Sequence, residues 1–171
     1  MSTQQTTQEE QPATRNVRLA VIRLKGKTGL QMPVKKTLDL LRLYKKNHCI
    51  VISNTPQYIG MIQRVQHTIT WGEIDEETFK NILEKRGKLP AKESLTPAYL
   101  KEKIGSTFSD FAKKFMAFQA QITDIPGLKP FFKLSPPRQG LEKKGLKAPY
   151  SMGGSMGYRK DNINDLIRRM M

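Results

Sequence analysis

The chain has 171 residues and one cysteine, a length that suits one domain with extensions and a thiol count that permits no internal disulfide and fits a reducing compartment. Its 30 lysines and arginines against 15 aspartates and glutamates leave a formal net charge of +15, a field that attracts polyanions, with nucleic acid first, an anionic membrane surface second and a merely solvated basic surface as the plain alternative. The apolar content of 37% is low, so part of the chain is expected outside a compact core, and no run of about 18 apolar residues is present to span a membrane.

The charge falls in blocks. Residues 17–71 hold ten Lys/Arg and one acid, Asp39; residues 72–125 hold nine of each sign; residues 126–171 hold ten bases and three acids. A generic solvated surface mixes signs throughout, so two basic blocks around a neutral one suggest polyanion-facing segments flanking an ordinary helical surface.

Residues 1–16, MSTQQTTQEEQPATRN, lack the basic and apolar regions of a secretory signal and are expected to be a polar, disordered tail. Val17–Lys25 (VRLAVIRLK) is aliphatic and β-branched, a strand with Arg18 and Arg23 near its ends. GKTGLQM is a loop carrying Lys27. Pro33 then suits the first position of a helix, and Val34, Leu38 and Leu41 recur at i, i+4 and i+7, with Leu40, Leu43 and Tyr44 widening the stripe. Lys35, Lys36, Arg42, Lys45 and Lys46 take other positions. The last two favour the negative end of the helix dipole, and Asn47 serves as its C-terminal residue.

Cys49–Ile52 (CIVI) is a short buried strand. Thr55-Pro56 opens a second helix, with Thr55 as N-cap and Ile59, Ile62 and Val65 as its apolar face. His67–Trp71 returns to strand, ended by Gly72. The order β-α-β-α-β within residues 17–74 predicts an α+β core, a three-stranded sheet with two helices on one face.

Residues 75–125 follow as a helical extension. Asp75 and Gly87 bound one helix, and Thr96-Pro97 and Gly105 bound another. Phe108, Phe111, Phe115 and Phe118 fall on one helical face. Packing against the sheet is the plain reading, and a base-stacking platform is the sharper one, disfavoured by the neutral charge of the segment. Residues 129–160 carry four prolines and five glycines among many lysines, which predicts an extended loop ordered only against a partner. The end of the 126–171 block, DNINDLIRRMM, forms a short helix on Ile163, Leu166, Ile167 and Met170.

Several segments invite a chemical reading. His48 and Cys49 are adjacent, but neighbours in a strand point to opposite faces and cannot act as a thiolate–imidazole pair. Cys49 is a small buried residue; His48, beside Lys45 and Lys46, is a strand-start residue or a phosphate contact. Two histidines and one cysteine show no zinc spacing. Glu73, Asp75, Glu76 and Glu77 mark a helix start rather than a metal cluster. Gly153-Gly154-Ser155-Met156-Gly157 lacks the lysine-serine/threonine ending of a nucleotide loop. Its glycines still let backbone N–H groups approach phosphates, with Arg159 and Lys160 following at once; a flexible linker is the alternative.

The stretches GLQMPVKKTLDLLRL, NHCIVI, NTPQYIGM and TWGEI, with LSPPRQG, GGSMGYR and INDLIRRM near the end, closely resemble the universal large-subunit ribosomal protein number thirty in its long archaeal and eukaryotic form. The likeness covers nearly everything after residue 16. The archaeal form fits this length better, because the basic N-terminal extension of eukaryotic members is absent. The resemblance implies the same β-α-β-α-β core, a ferredoxin-like half with its first strand central. It further implies no catalysis, no cofactor, no metal, no membrane and no small-molecule substrate. Its expected partners are 23S-type large-subunit ribosomal RNA, the 5S ribosomal RNA nearby and neighbouring ribosomal proteins, and its expected location is the cytoplasmic ribosome. An RNA-processing or RNA-modifying enzyme is the alternative.

Matched residue by residue, the resemblance favours Lys35, Lys36 and Arg42, then Lys45, Asn47 and His48, then Thr55, Gln57, Tyr58 and Gly60 as RNA contacts. Charge and backbone chemistry add Lys25, Lys27, Lys46, Arg138, Lys143, Lys144, Lys147, Gly153, Gly154, Arg159 and Lys160. Where the family commonly carries arginine before the Gly-Met of the second helix, this chain has Ile59, either a missing phosphate contact or a packing residue.

Overall fold

The computed structural model describes residues 17–90 and 93–171; the tail expected over residues 1–16 lies outside them. Among the described residues five strands form one mixed sheet, ordered β4-β2-β1-β3-β5. They are β1 (Arg18–Arg23), β2 (His48–Ser53), β3 (Ile69–Glu73), β4 (Phe132–Lys133) and β5 (Gly157–Tyr158). The first three are the expected core with β1 at its centre, antiparallel to both neighbours; Ala20 faces Val51 on one side and Gly72 on the other.

Strand alternation sorts the core into two layers. Leu19, Val21, Ile50 and Ile69 pack against Leu38 of α1 (Met32–Leu40) and Ile62 and Val65 of α2 (Pro56–Val65). Ala20, Ile22, Cys49 and Val51 face the opposite way. They share a second cluster with side chains of α3 (Glu76–Arg86), α4 (Pro97–Ile104), α5 (Phe108–Met116) and α6 (Ile163–Met170). Two helices do cover one face as expected, and the later helices cover the other.

Helix α1 is shorter than its apolar stripe predicts. It ends at Leu40, and Gln31 is its N-cap, which places Pro33 at the second position. Arg42 takes the left-handed conformation (φ +58) without being glycine. Its N–H bonds the Asp39 carbonyl at 3.0 Å while the Leu43 N–H bonds Leu38 at 2.9 Å, the paired closure of a Schellman motif. Leu38 and Leu43 are both buried in the same cluster, which fixes the turn. Lys45, Lys46 and Asn47 therefore stand in a loop, not in the last helical turn.

The Thr-Pro starts hold. Thr55 caps α2, and Thr96 caps α4, which Gly105 closes at φ +68. Helix α5 opens on a reciprocal Thr107–Asp110 capping box. It buries Phe108, Phe111 and Phe115, while Phe118 lies past its end at φ +62 and reaches the surface. Gly87 ends α3, but with φ −60 rather than left-handed; a Cβ there would lie 2.4 Å from the Leu83 carbonyl oxygen. Gly72 does not end β3. A Cβ there would lie 2.1 Å from the Lys160 carbonyl oxygen, so its bareness lets residues 160–163 lie directly on the strand.

The extended loop expected over residues 129–160 is instead stitched to the sheet. β4 pairs antiparallel with His48 and Cys49 of β2, and β5 pairs parallel with Thr70 and Trp71 of β3. Phe132, Leu134 and Met156 are buried. The segment builds no fold of its own. It covers both edges of a sheet that would otherwise present unpaired backbone, and two-residue strands carry too little alternation to be recognised in sequence. Helix α6 buries Ile163, Leu166, Ile167 and Met170 as its spacing predicts.

Candidate nucleic-acid interface

The loop between α1 and β2 is held from below by Arg23, whose side chain is only 1% exposed. Its Nη1 donates to the carbonyls of Leu43 (2.7 Å) and Tyr44 (3.3 Å), and its Nε to Lys25 (2.8 Å). Asn47, left-handed at φ +64, donates its N–H to the Arg23 carbonyl at 2.7 Å and accepts from the Leu134 N–H at 3.0 Å. A loop tied on both sides loses little entropy when it binds. From it Arg42, Lys45 and Lys46 project into solvent, and among the described residues none of them forms a salt bridge.

His48 is not a surface contact. It is 4% exposed and stacks on Phe131 with ring centroids 4.9 Å apart. Burial first, then the charges of Lys133, Lys45 and Arg23, push its pKa below the ordinary histidine value, so the imidazole is neutral near pH 7. Cys49 points to the opposite core, and burial pushes its thiol up to about 12. The two side chains form no catalytic pair. Among the described residues no group of three or more His, Cys, Asp or Glu could hold a metal ion, and no helix is long and apolar enough to cross a membrane.

Lys36 is exposed and Lys35 half-buried on α1, both without carboxylate partners among the described residues; Lys27 meets Asp39 at 3.6 Å in an exposed pair, and Lys25 is half-buried. The free edge of β2 beyond Cys49 opens into a cleft of about 340 Å³, lined by Leu40 and Arg42 from the end of α1, Ile52 and Ser53, Tyr58 of α2 and Pro130. Arg42 and Tyr58 thus meet across one concavity. Thr55 is half-buried, accepting from the Tyr58 N–H at 3.5 Å, while Gln57, Tyr58 and Gly60 are exposed. Ile59 is half-buried and lines a separate groove with Ile62, Trp71 and Tyr158.

In the C-terminal segment Arg138, Lys143, Lys144, Lys147 and Lys160 are exposed, and none forms a salt bridge among the described residues. Gly153 and Gly154 do not offer their amides to phosphate. Their N–H groups donate to the carbonyls of Tyr150 and Pro149, each at 2.9 Å. Gly154 is buried where a Cβ would lie 2.0 Å from the Ala148 carbonyl oxygen, so its role is close packing. Arg159 is likewise internal, 2% exposed and paired with Glu142, because the chain brings one of its few acids beneath the β5 edge.

Lys133 and Phe131 were not singled out in the sequence. The available signal is the alternation of Phe131-Phe132-Lys133, which sends Phe132 into one core, Phe131 to the other face and Lys133 to the surface opposite His48. The basic loop before β2 and Lys133 on β4 form one patch. The 143–147 turn, bonded to the 153–155 turn that leads into β5, forms another at the other sheet edge.

The model of the family described as ribosomal protein L30p/L7e matches residues 19–69, from β1 to the start of β3. Large ribosomal subunit protein uL30 of Methanopyrus kandleri is 40% identical over 149 residues, covering 86% of this chain and 100% of the relative. Its counterpart from Methanococcus maripaludis is 41% identical over 152 residues (89% and 98%), and that from Nanoarchaeum equitans is 41% identical over 150 (88% and 96%). These relatives are archaeal, as the sequence resemblance implies, and the match runs through the C-terminal segment as well as the sheet core. The chain belongs to the uL30 family of large-subunit ribosomal proteins, a family of structural proteins rather than enzymes.

Proposed function

We propose that the chain is a structural component of the large ribosomal subunit that grips 23S-type ribosomal RNA mainly through its phosphates. The observation that carries this reading is a set of cations without carboxylate partners among the described residues: Lys35, Lys36, Arg42, Lys45 and Lys46 on one side, Lys143, Lys144 and Lys147 on the other. Like charges so placed repel one another until a polyanion meets them. Folded RNA hides its major-groove edges from side chains, so recognition rests on phosphates, 2′-hydroxyls and shape. The exposed first turn of α2 adds the Gln57 N–H at the positive end of a helix, the Tyr58 N–H being taken by the Thr55 cap. The 5S ribosomal RNA is a second partner by family resemblance, and neighbouring ribosomal proteins are others. The place of work is the cytoplasmic ribosome.

Filter binding of the full chain to purified large-subunit RNA across a salt series tests the reading. Each phosphate contact contributes about −0.7 to −0.9 to the slope of log affinity against log salt, so five contacts give roughly −4. A flat response would remove the phosphate grip. Competition with purified 5S RNA tests the second partner separately, and indifference to it would remove that part alone.

A further inference from the structure

We propose that Tyr44 is a base-stacking platform, on which an unpaired base of the bound RNA lies while Lys45, Lys46 and Lys133 hold the flanking phosphates. The inference rests on the RNA-binding reading above and assigns one site within it a specific mode of contact. Tyr44 was expected to widen the apolar stripe of α1, yet it stands beyond the helix end with its side chain 39% exposed. Its ring meets Phe131 nearly at right angles, 83° with centroids 5.7 Å apart, and Phe131 in turn stacks on His48. Contact with this one ring can cover at most one face of the tyrosine, and the residue is 39% exposed. Three rings, from the loop, the residue before β4 and the start of β2, thus form a short pillar that ends at the part-exposed Tyr44.

The pillar is rigid because Arg23 holds the Tyr44 carbonyl and the Leu43 carbonyl beneath it. It stands in a positive field. Lys45, Lys46 and Lys133 are exposed and form no salt bridge among the described residues, and Asp39, the one acid of the basic block, is engaged by Lys27. The depressed His48 pKa registers the same convergence of Lys133, Lys45 and Arg23, after burial. Stacking aromatics flanked by cations are how proteins hold unpaired bases. Of the aromatic set visible in sequence, Phe108, Phe111 and Phe115 of α5 are buried, and the Phe118 ring beyond it carries the Arg18 guanidinium at 4.1 Å.

The test is binding of full-length variants to purified large-subunit RNA, with thermal unfolding of each as a control. Tyr44→Leu keeps apolar bulk against Phe131 but has no π-face. It should weaken binding about five- to 150-fold, the range for one stacked base, with the salt slope unchanged. Tyr44→Phe should bind as the parent does. Lys45→Gln and Lys133→Gln should each flatten the slope by about 0.7 to 0.9. If the parent binds and Tyr44→Leu binds equally well, the platform is overturned while the phosphate grip stands. If Tyr44→Phe loses as much as Tyr44→Leu, the contact is through the hydroxyl and stacking is overturned. If the parent itself does not bind RNA, it is the function proposed above that fails.

Discussion

Arg159 fastens the β5 edge from inside. Its Nε donates to the Thr70 hydroxyl at 2.8 Å, and its Nη2 to Glu142 at 2.7 Å and the Ser155 carbonyl at 3.0 Å; the guanidinium lies 4.5 Å from the Tyr150 ring centroid. Burial of Glu142 favours its protonated form, but hydrogen bonds from Arg159 and Ser155 outweigh burial and hold the carboxyl at about 2. A carboxyl lowered by folding contributes stability that is complete above its ordinary value of 4.5 and is lost as pH falls toward 2. Glu142→Gln strands a buried cation, at a cost on the order of 3 kcal/mol near neutral pH, or roughly 6–12 °C in Tm. Thermal unfolding of both proteins across pH should show that gap closing between about pH 5 and pH 2; a gap independent of pH would mean the ionised carboxylate is not what matters. Arg18 has no carboxylate partner among the described residues. It bonds the carbonyls of Phe115 (3.1 Å) and Ala120 (3.2 Å) at the end of α5 and lies between the rings of Phe115 and Phe118, where a cation suits the negative end of the dipole. None of these arginine roles was legible in sequence. Their partners lie far along the chain or are backbone carbonyls, and a carbonyl carries no residue identity. Arg159 is the clearest case, since its neighbour Lys160 does reach solvent.

At the scale of elements, local chemistry was legible where one or two residues decide the backbone. Thr55-Pro56, Thr96-Pro97 and Gly105 did so. The end of α1 was not legible, because its left-handed closing residue is Arg42 and the apolar stripe runs on through Leu41 and Leu43, which are buried by a turn instead of a helix. The glycines divide by what surrounds them. Gly60 sits in α2 with open space around its would-be Cβ, whereas Gly72 lies against the Lys160 backbone. Alanine at position 60 should stabilise the chain by about 1 kcal/mol through helix propensity. Alanine at position 72 should destabilise it by about 1–3 kcal/mol through forced separation of β3 from residues 160–163. Denaturant midpoints of the two variants should therefore move in opposite directions, and equal shifts would show that the close approach at Gly72 is not tight.

The whole molecule depends on its late segment. A chain cut after residue 125 would lose the strands that cover β2 and β3 and, with α6, a whole side of the second core layer. Exposed edges and apolar surface promote self-association, so the truncated chain should form concentration-dependent oligomers in sedimentation velocity. A monomeric fragment that unfolds cooperatively would show that the sheet core stands alone. The sequence pattern did locate the α+β core, the strand β1 and the amphipathic face of α6, because each has an apolar signal several residues long. It did not locate the docking of residues 126–158, where Pro, Gly and Lys dominate and pairing is two residues at a time.

The strand order carries a consequence in time. The sheet grows outward from its middle, since β1 comes first in sequence and its neighbours β2 and β3 come next, with β4 and β5 added last on the flanks. Ala20 and Ile22 on one face of β1 share their cluster with Leu166 and Met170. At ordinary synthesis rates those partners emerge roughly seven to thirty seconds after the strand they cover. Until then that face of the nascent sheet has at most the cover of α3, α4 and α5 as they appear, while the basic first block is already out. The nascent chain is a species that needs shelter both from its own kind and from any stray polyanion before it can reach its place.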